Sequence, residues 1–363
     1  MWRGAVLAAL AMGTLVPLAP AHATARGGVV AGSPIIAVID TGVRVTHEEF
    51  DYRGPKSRDD QVVAWWDFTT DKKKRIVEPA PGQTWDPQVA QPYDDYTTGH
   101  GTGVAALAVG LNRTPVQTRS AAPGYRLAVA KVLNHGGTGA AELAPAIRWA
   151  VRTVHASVIN ISIGTIAPSP AVLDADVLDA IDAATKAGIM VVLGNGNGWA
   201  NAGLPGEPGW ATGFGDSTSA LAVGAADVQG LTFCTDPELT ANSAVHTATN
   251  SANDAYMSVT GTSFASPFVA GFAARLVNAA RNAHRDASPG RIRRLIEYST
   301  VDTVRPPQSE GYGEITLAAL PAALARARAG TTPKRPNPDP SGWYVEHVSM
   351  KLRDLWSNRL RNP

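Results

Sequence analysis

The chain has 363 residues, 44% of them hydrophobic and 17% charged, with 32 Lys and Arg against 31 Asp and Glu. That is enough apolar material for one large core or at most two, which excludes a disordered or coiled-coil chain, and the balanced charge offers no footprint for a nucleic-acid partner. The one cysteine, Cys234, excludes a disulfide framework; with no His or Asn motif beside it, it reads as a small buried hydrophobe rather than a nucleophile.

Residues 1–23 have the form of a signal peptide: an early Arg3, an apolar run from Ala5 to Leu18, and Ala21-His22-Ala23 as a small-x-small cleavage site. Gly13 and Pro17 break the run, which is short for a span of ~20 residues, so cleavage and release are expected over anchoring. Secretion follows, with no transmembrane span once the leader is gone. Beyond it, short Val/Ile-rich runs at 34–40, 126–133, 157–164, 188–194 and 219–226 alternate with helical patterns near 102–111, 140–155 and 173–187. Such continuous runs are strands covered on both faces, so the fold class is α/β, a mainly parallel sheet between helix layers, with ligands at the C-terminal strand ends.

Residues 51–99 interrupt this rhythm. They carry Trp65, Trp66, Trp85, Tyr93 and Tyr96, the run Lys72-Lys73-Lys74-Arg75 and several prolines, and only VVAWWDF at 62–68 resembles a strand. The segment reads as a surface insertion. Residues 331–342 form a Pro-rich linker, followed by a short helix with Val345, Val348, Leu352, Leu355 and Trp356 on one side, which suits docking on a surface or partner.

Three segments carry chemistry. Asp40 ends a buried strand in Asp-Thr-Gly; alone this could cap a turn, and aspartic proteases need two such loops, whereas here Asp302-Thr303 is followed by Val304. His100 lies between two glycines at the start of a small-residue helix, which suggests an imidazole with backbone space for a substrate, kept neutral by the helix N-terminus. Ser263 precedes Phe264, Phe268, Phe272, Leu276 and Val269, Ala273, Val277, spaced as the face of a buried helix, with Pro267 near its start and Gly271 allowing a close neighbour. Ser263 reads as a helix cap or as a hydroxyl aimed where negative charge develops. A hydroxyl, a base and a buried carboxylate together supply nucleophilic hydrolysis, and their order is Asp, His, Ser.

IIAVIDTGV, GHGTGVAALAVG and GTSFASPFVAG resemble the three signature segments of the subtilisin-like serine peptidases, and AVAKVL, VINISIG and GYGEITLAALPAAL resemble the sheet and closing segments of that family, over residues 33–328. The resemblance implies a three-layer α/β/α peptidase domain spanning 24–330, with Asp40, His100 and Ser263 as triad and a peptide or protein as substrate. It also implies an oxyanion donor in a Gly-Asn pair after a buried strand: GIMVVLGNGNG offers Asn195 or Asn197, and counting from Gly188 selects Asn197. Ser162, Ile163 and Gly164 would be an exposed strand pairing with substrate, and the S1 pocket would lie between it and Gly194 to Asn197, Gly196 included.

The chain departs from the pattern at Gly103 and Phe268, where the family often has His, and at Ala106, where it often has Gly. The residues between Ala23 and Ile35 are too few for a folded pro-segment. No cofactor is expected; calcium is common in the family, yet Asp51, Asp59, Asp94 and Asp95 lack regular ligand spacing and read as solvated charges. Two further readings stay open: a processing enzyme near the mycosin branch, which has a comparable insertion, and a catalytically silent peptide-binding scaffold.

Overall fold

The computed structural model describes residues 28–51, 61–69, 94, 96, 98–133, 140–163, 175–196, 219–226, 237–303 and 310–334. The leader, the basic run, Gly164, Asn197, Cys234 and the C-terminal helix expected after residue 342 lie outside these residues.

Among the described residues eight strands form one sheet: β1 (Ile35–Asp40), β2 (Val62–Asp67), β3 (Arg126–Lys131), β4 (Val158–Ile161), β5 (Met190–Gly194), β6 (Leu221–Ala225), β7 (Leu239–Ala241) and β10 (Glu314–Ile315). Their order is β10-β7-β6-β5-β4-β1-β3-β2, and every pairing within the sheet is parallel. Separate from it, β8 (Val245–Ala248) and β9 (Tyr256–Val259) form an antiparallel hairpin. The helices are α1 (His100–Val109), α2 (Ala140–Arg152), α3 (Ala175–Lys186), α4 (Thr262–Asn282), α5 (Pro289–Glu297) and α6 (Leu320–Ala329).

Alternation along the strands builds two apolar layers. On β1, Ile36 and Val38 join Val104, Leu107, Val269 and Phe272 of α1 and α4, while Ala37 and Ile39 join Ile147 of α2 and Ile181 of α3. Both faces of each strand are therefore dry, which is why these segments are apolar without a break. The expected three-layer α/β/α arrangement is the one observed.

Local readings are borne out at residues 62–67 and Gly271 and change at Ser263 and Pro267. Residues 62–67, inside the expected surface insertion, form the edge strand β2; Trp65 is buried, and Trp66 stacks on Phe68 at 5.6 Å and lies 6.3 Å from Trp149. Ser263 does not cap α4. Gly261 holds that position with φ 142°, a value favouring glycine, and Ser263 is the second helical residue. Pro267, sixth in the helix, removes the ladder bond to the Ser263 carbonyl. Gly271 does what its size suggested: a Cβ there would meet the Ala108 carbonyl of α1 at 2.6 Å.

The β8–β9 hairpin and α5 escape the periodicity reading. For α5 a signal existed in Ser288-Pro289, a helix start, followed by Ile292, Leu295 and Ile296 on one face. That helix carries Arg291, buried, whose guanidinium donates to the carbonyls of Arg326, Ala327 and Thr331 at 3.2 Å each and so satisfies the end of α6.

It also carries Arg293, ion-paired with Glu238 at the start of β7 and, at 3.4 Å, with Glu297. One cation serves two buried carboxylates. Burial pushes Glu238 up to about 8, and the neighbouring charge of Glu297 acts in the same direction against the attraction of Arg293. A carboxyl raised in the folded state contributes stability that is full below its unfolded pKa and is lost as pH rises through about 8. Glu238→Gln should therefore lose less melting temperature than the parent between pH 6 and pH 9; scanning calorimetry at both values checks this, and an equal loss in the two proteins would refute it.

Candidate active site

The C-terminal end of β1 delivers Asp40 into the interior with no exposure. Its Oδ1 accepts hydrogen bonds from the Thr41 backbone N–H and from His100 Nδ1, each at 2.8 Å. His100 opens α1, and Gly99 before it adopts the left-handed conformation (φ 66°, ψ 42°) that turns the chain into the helix. Gly101 is small for a different reason than substrate access: a Cβ would sit 2.2 Å from the Gly42 carbonyl and 3.1 Å from Asp40 Oδ1. The glycines flanking His100 thus serve a turn and a close helix–strand contact.

The N-terminus of α4 comes in beside this pair. The ring of Phe264 lies 5.2 Å from that of His100, and the preceding residue, Ser263, donates its hydroxyl proton to the Ser162 carbonyl at 2.9 Å. The end of β5 abuts the same turn, with Gly196 N–H donating to Thr262 Oγ1 at 3.1 Å, and a Cβ on Gly194 would meet Thr262 Oγ1 at 3.1 Å. Five element ends therefore converge: β1, β4, β5, α1 and α4.

A model of the subtilase family matches residues 32–314. The chain belongs to the subtilase family. It is a serine endopeptidase by that membership. It is 28% identical to subtilisin DY of Bacillus licheniformis over 269 residues, 72% of this chain and 83% of that protein. It is 29% identical to the M-protease of Shouchella clausii (strain KSM-K16) over 246 residues, 66% of this chain but only 52% of that protein. Among solved structures, the prenylagaramide maturation protease PagA shares the fold with a TM-score of 0.58 at 20% identity, covering 80% of this chain and 93% of its own.

Within this subtilase the remaining expected site residues fall as follows. Ser162 is 4% exposed rather than on an open strand, since β4 stops at Ile161; its Oγ accepts from Asn160 Nδ2 at 2.8 Å and bonds Ser266 Oγ at 3.0 Å. Ile163 is half-buried beside the α2 and α3 layer. Asn195 is buried, with its N–H on the Val223 carbonyl at 2.9 Å. Gly103 occupies a place where a larger residue would collide, as its Cβ would lie 2.8 Å from Thr247 Cγ2 of β8.

Two expectations need correction. Burial of His100 opposes its cationic form, but the charge of Asp40, the hydrogen bond to it and the charge of Asp94 together outweigh that, so the imidazole pKa is raised, not lowered. A full charge at hydrogen-bond distance exceeds the roughly half charge of a helix N-terminus. Asp94, read as a solvated charge, is wholly buried and accepts bonds from Thr41 and Thr102. Asp51 is half-buried, its N–H on Gln61 Oε1 at 3.2 Å, while Asp59 and Asp95 lie outside the described residues. Among the described residues no group of three or more His, Cys, Asp or Glu is arranged to hold a metal ion.

The raised His100 pKa predicts an imidazole NMR titration midpoint above 6.5 in the folded enzyme. Asp40→Asn should bring the midpoint down by removing the largest favourable charge; a midpoint that does not move would contradict the assigned cause.

Proposed function

We propose that this subtilase is an exported endopeptidase in which Ser263 is the nucleophile, His100 the general base and acid, and Asp40 the carboxylate that orients and compensates the imidazole. The observation that carries the reading is the 2.8 Å contact between His100 Nδ1 and Asp40 Oδ1 beside the N-terminus of the helix bearing Ser263. With the proton on Nδ1 committed to Asp40, the lone pair of Nε2 is the basic site.

Ser263 Oγ, turning from the Ser162 carbonyl, gives its proton to Nε2 as the oxygen bonds to the substrate carbonyl carbon. The imidazolium then returns that proton to the departing amine nitrogen as the C–N bond breaks, leaving an acyl ester on Oγ. Water repeats the two transfers and frees the acid. The negative oxygen of each tetrahedral intermediate forms near the N-terminus of α4, where the Ser263 N–H and helix dipole favour it, with Asn197 as the side-chain donor. Ser162, Ile163, Gly164 and Gly196 would line the peptide. The leader-like residues 1–23 support secretion, and the segment after residue 342 would dock on a surface or partner.

A silent peptide-binding scaffold is the second reading, favoured by the hold of the Ser162 carbonyl on the Ser263 hydroxyl. Labelling with a fluorophosphonate decides between them: covalent modification at Ser263 supports catalysis, and an inert serine supports the scaffold. Ser263→Ala should abolish hydrolysis while costing the fold about 1 kcal/mol or less, the worth of one hydrogen bond. Asn197→Ala should lower kcat by about 100-fold or more at nearly constant KM, the size of effect a lost oxyanion donor has in subtilisin; a larger loss in Asn195→Ala would transfer the role to that residue.

The insertion gives a separate expectation. Its described parts are tied to the site, through β2 against β3 and through Asp94 against Thr41. Replacing residues 71–92 by a Gly/Ser linker should broaden the cleavage profile across a peptide library; an unchanged profile in a stably folded variant would remove the insertion from specificity.

A further inference from the structure

We propose that Asp94 is a positioning residue of the active site: a buried carboxylate that sets the hydroxyls of Thr41 and Thr102 and through them locks the exit of β1 to the first turn of α1. The inference rests on the triad reading above.

The geometry is specific. Asp94 Oδ1 accepts from Thr41 Oγ1 at 2.9 Å and from the Tyr96 N–H at 3.3 Å; Oδ2 accepts from Thr102 N–H at 2.8 Å and Thr102 Oγ1 at 2.6 Å. A carboxylate can only accept, so both threonine protons point at Asp94. Each hydroxyl then has lone pairs left for a main-chain donor. Thr41 Oγ1 accepts from Gly101 N–H at 2.8 Å, and Thr102 Oγ1 accepts from Arg44 N–H at 3.0 Å. The residue after Asp40 is thereby bonded to the residue after His100. A second bridge joins Arg44, four residues after Asp40, to Thr102, two residues after His100, and its hydroxyl is held by the same carboxylate.

Asp94 is itself fixed from the other side. Asn250, in the turn between β8 and β9, donates Nδ2 to the carbonyls of Asp94 at 2.7 Å and Tyr96 at 2.8 Å, and Thr249 Oγ1 donates to the Thr98 carbonyl at 3.1 Å. The segment leading into His100 is held between this turn and β1. An amide at position 94 cannot reproduce the network, because whichever way it turned its NH2 would face a backbone N–H, of Tyr96 or of Thr102, and would force the neighbouring threonine hydroxyl to reverse its proton.

The same carboxylate adds negative charge near the imidazole. Among the described residues the ionisable groups facing His100 are Asp40 from β1, and Asp94 and Tyr96 from the segment before α1; α4 brings Phe264 and Ser263, and Arg44 turns its guanidinium to Asn250 and Asn253. Removing the charge of Asp94 therefore disfavours the imidazolium.

The test uses Asp94→Asn and Thr41→Val beside the parent, with rates per active site counted by fluorophosphonate titration so that misfolded protein does not enter. Thr41→Ser, which keeps the hydroxyl, serves as the rescue. Expected are a kcat per site lowered by ~10- to 100-fold, as for other small displacements of a catalytic group, at near-constant KM in Asp94→Asn and Thr41→Val. The acid limb of kcat/KM should move to lower pH in Asp94→Asn, and Thr41→Ser should stay close to the parent. Unchanged kcat per site and an unmoved acid limb in Asp94→Asn would overturn the proposal, as would a Thr41→Ser variant as impaired as Thr41→Val. If Asp94→Asn yields no titratable enzyme, a parent-like kcat in Thr41→Val is the overturning result. Failure of the triad reading looks different, since the parent itself would then not be labelled at Ser263.

Discussion

A carboxylate placed at the end of a fully buried strand is the constraint on which the rest of this structure depends. Charge in a dry interior is costly unless hydrogen bonds and an opposite charge compensate it, and a broken pair leaves several kcal/mol uncompensated. Around Asp40 the compensation comes from the Thr41 N–H and from His100, and neither can be in place unless β1, the loop after it and α1 keep a fixed relation. Gly101, with no room for a Cβ, allows that approach, and the close fit of Gly271 on Ala108 sets α4 against α1. The N-terminus of α4, with Phe264 against the imidazole, thus arrives as a consequence of backbone packing that begins under Asp40.

Much of this was legible in the sequence, for a physical reason. A sheet covered on both faces writes itself as unbroken apolar runs, so β1, β3, β4, β5 and β6 were recognisable, and α1 to α4 followed from their spacing. Asp40, His100 and Ser263 stood out because each pairs a reactive side chain with glycines or small residues, and the structure brings the three element ends together. Ser263 as a cap and His100 as an imidazole shifted toward neutrality were misread, because both depend on neighbours distant in the chain: Gly261 takes the cap, and Asp40 and Asp94 supply the charge.

Asp94 shows where such reading stops. It lies in a stretch without periodicity, next to a second aspartate, and by composition alone such a pair belongs in water. What buries it is Thr41, 53 positions earlier, and Asn250, 156 positions later. The β8–β9 hairpin was missed for a related reason, since its short strands lie outside the main sheet and pack against α1 instead of continuing the alternation. Long-range polar contacts leave no period in a sequence. They are recovered only when the fold has brought the chain segments together.

The closure of the insertion at its base has a consequence for how such enzymes diversify. The main chains of Asp51 and Gln61 are bonded at 3.2 Å, and Asp94, held by Thr41 and Thr102, stands six positions before His100. Anchors at both ends stop a change in the intervening length from being transmitted to His100. Segments bounded in this way can be lengthened, shortened or exchanged between relatives while the reaction centre is inherited unchanged, so new substrate preferences become accessible by insertion and deletion as well as by point substitution.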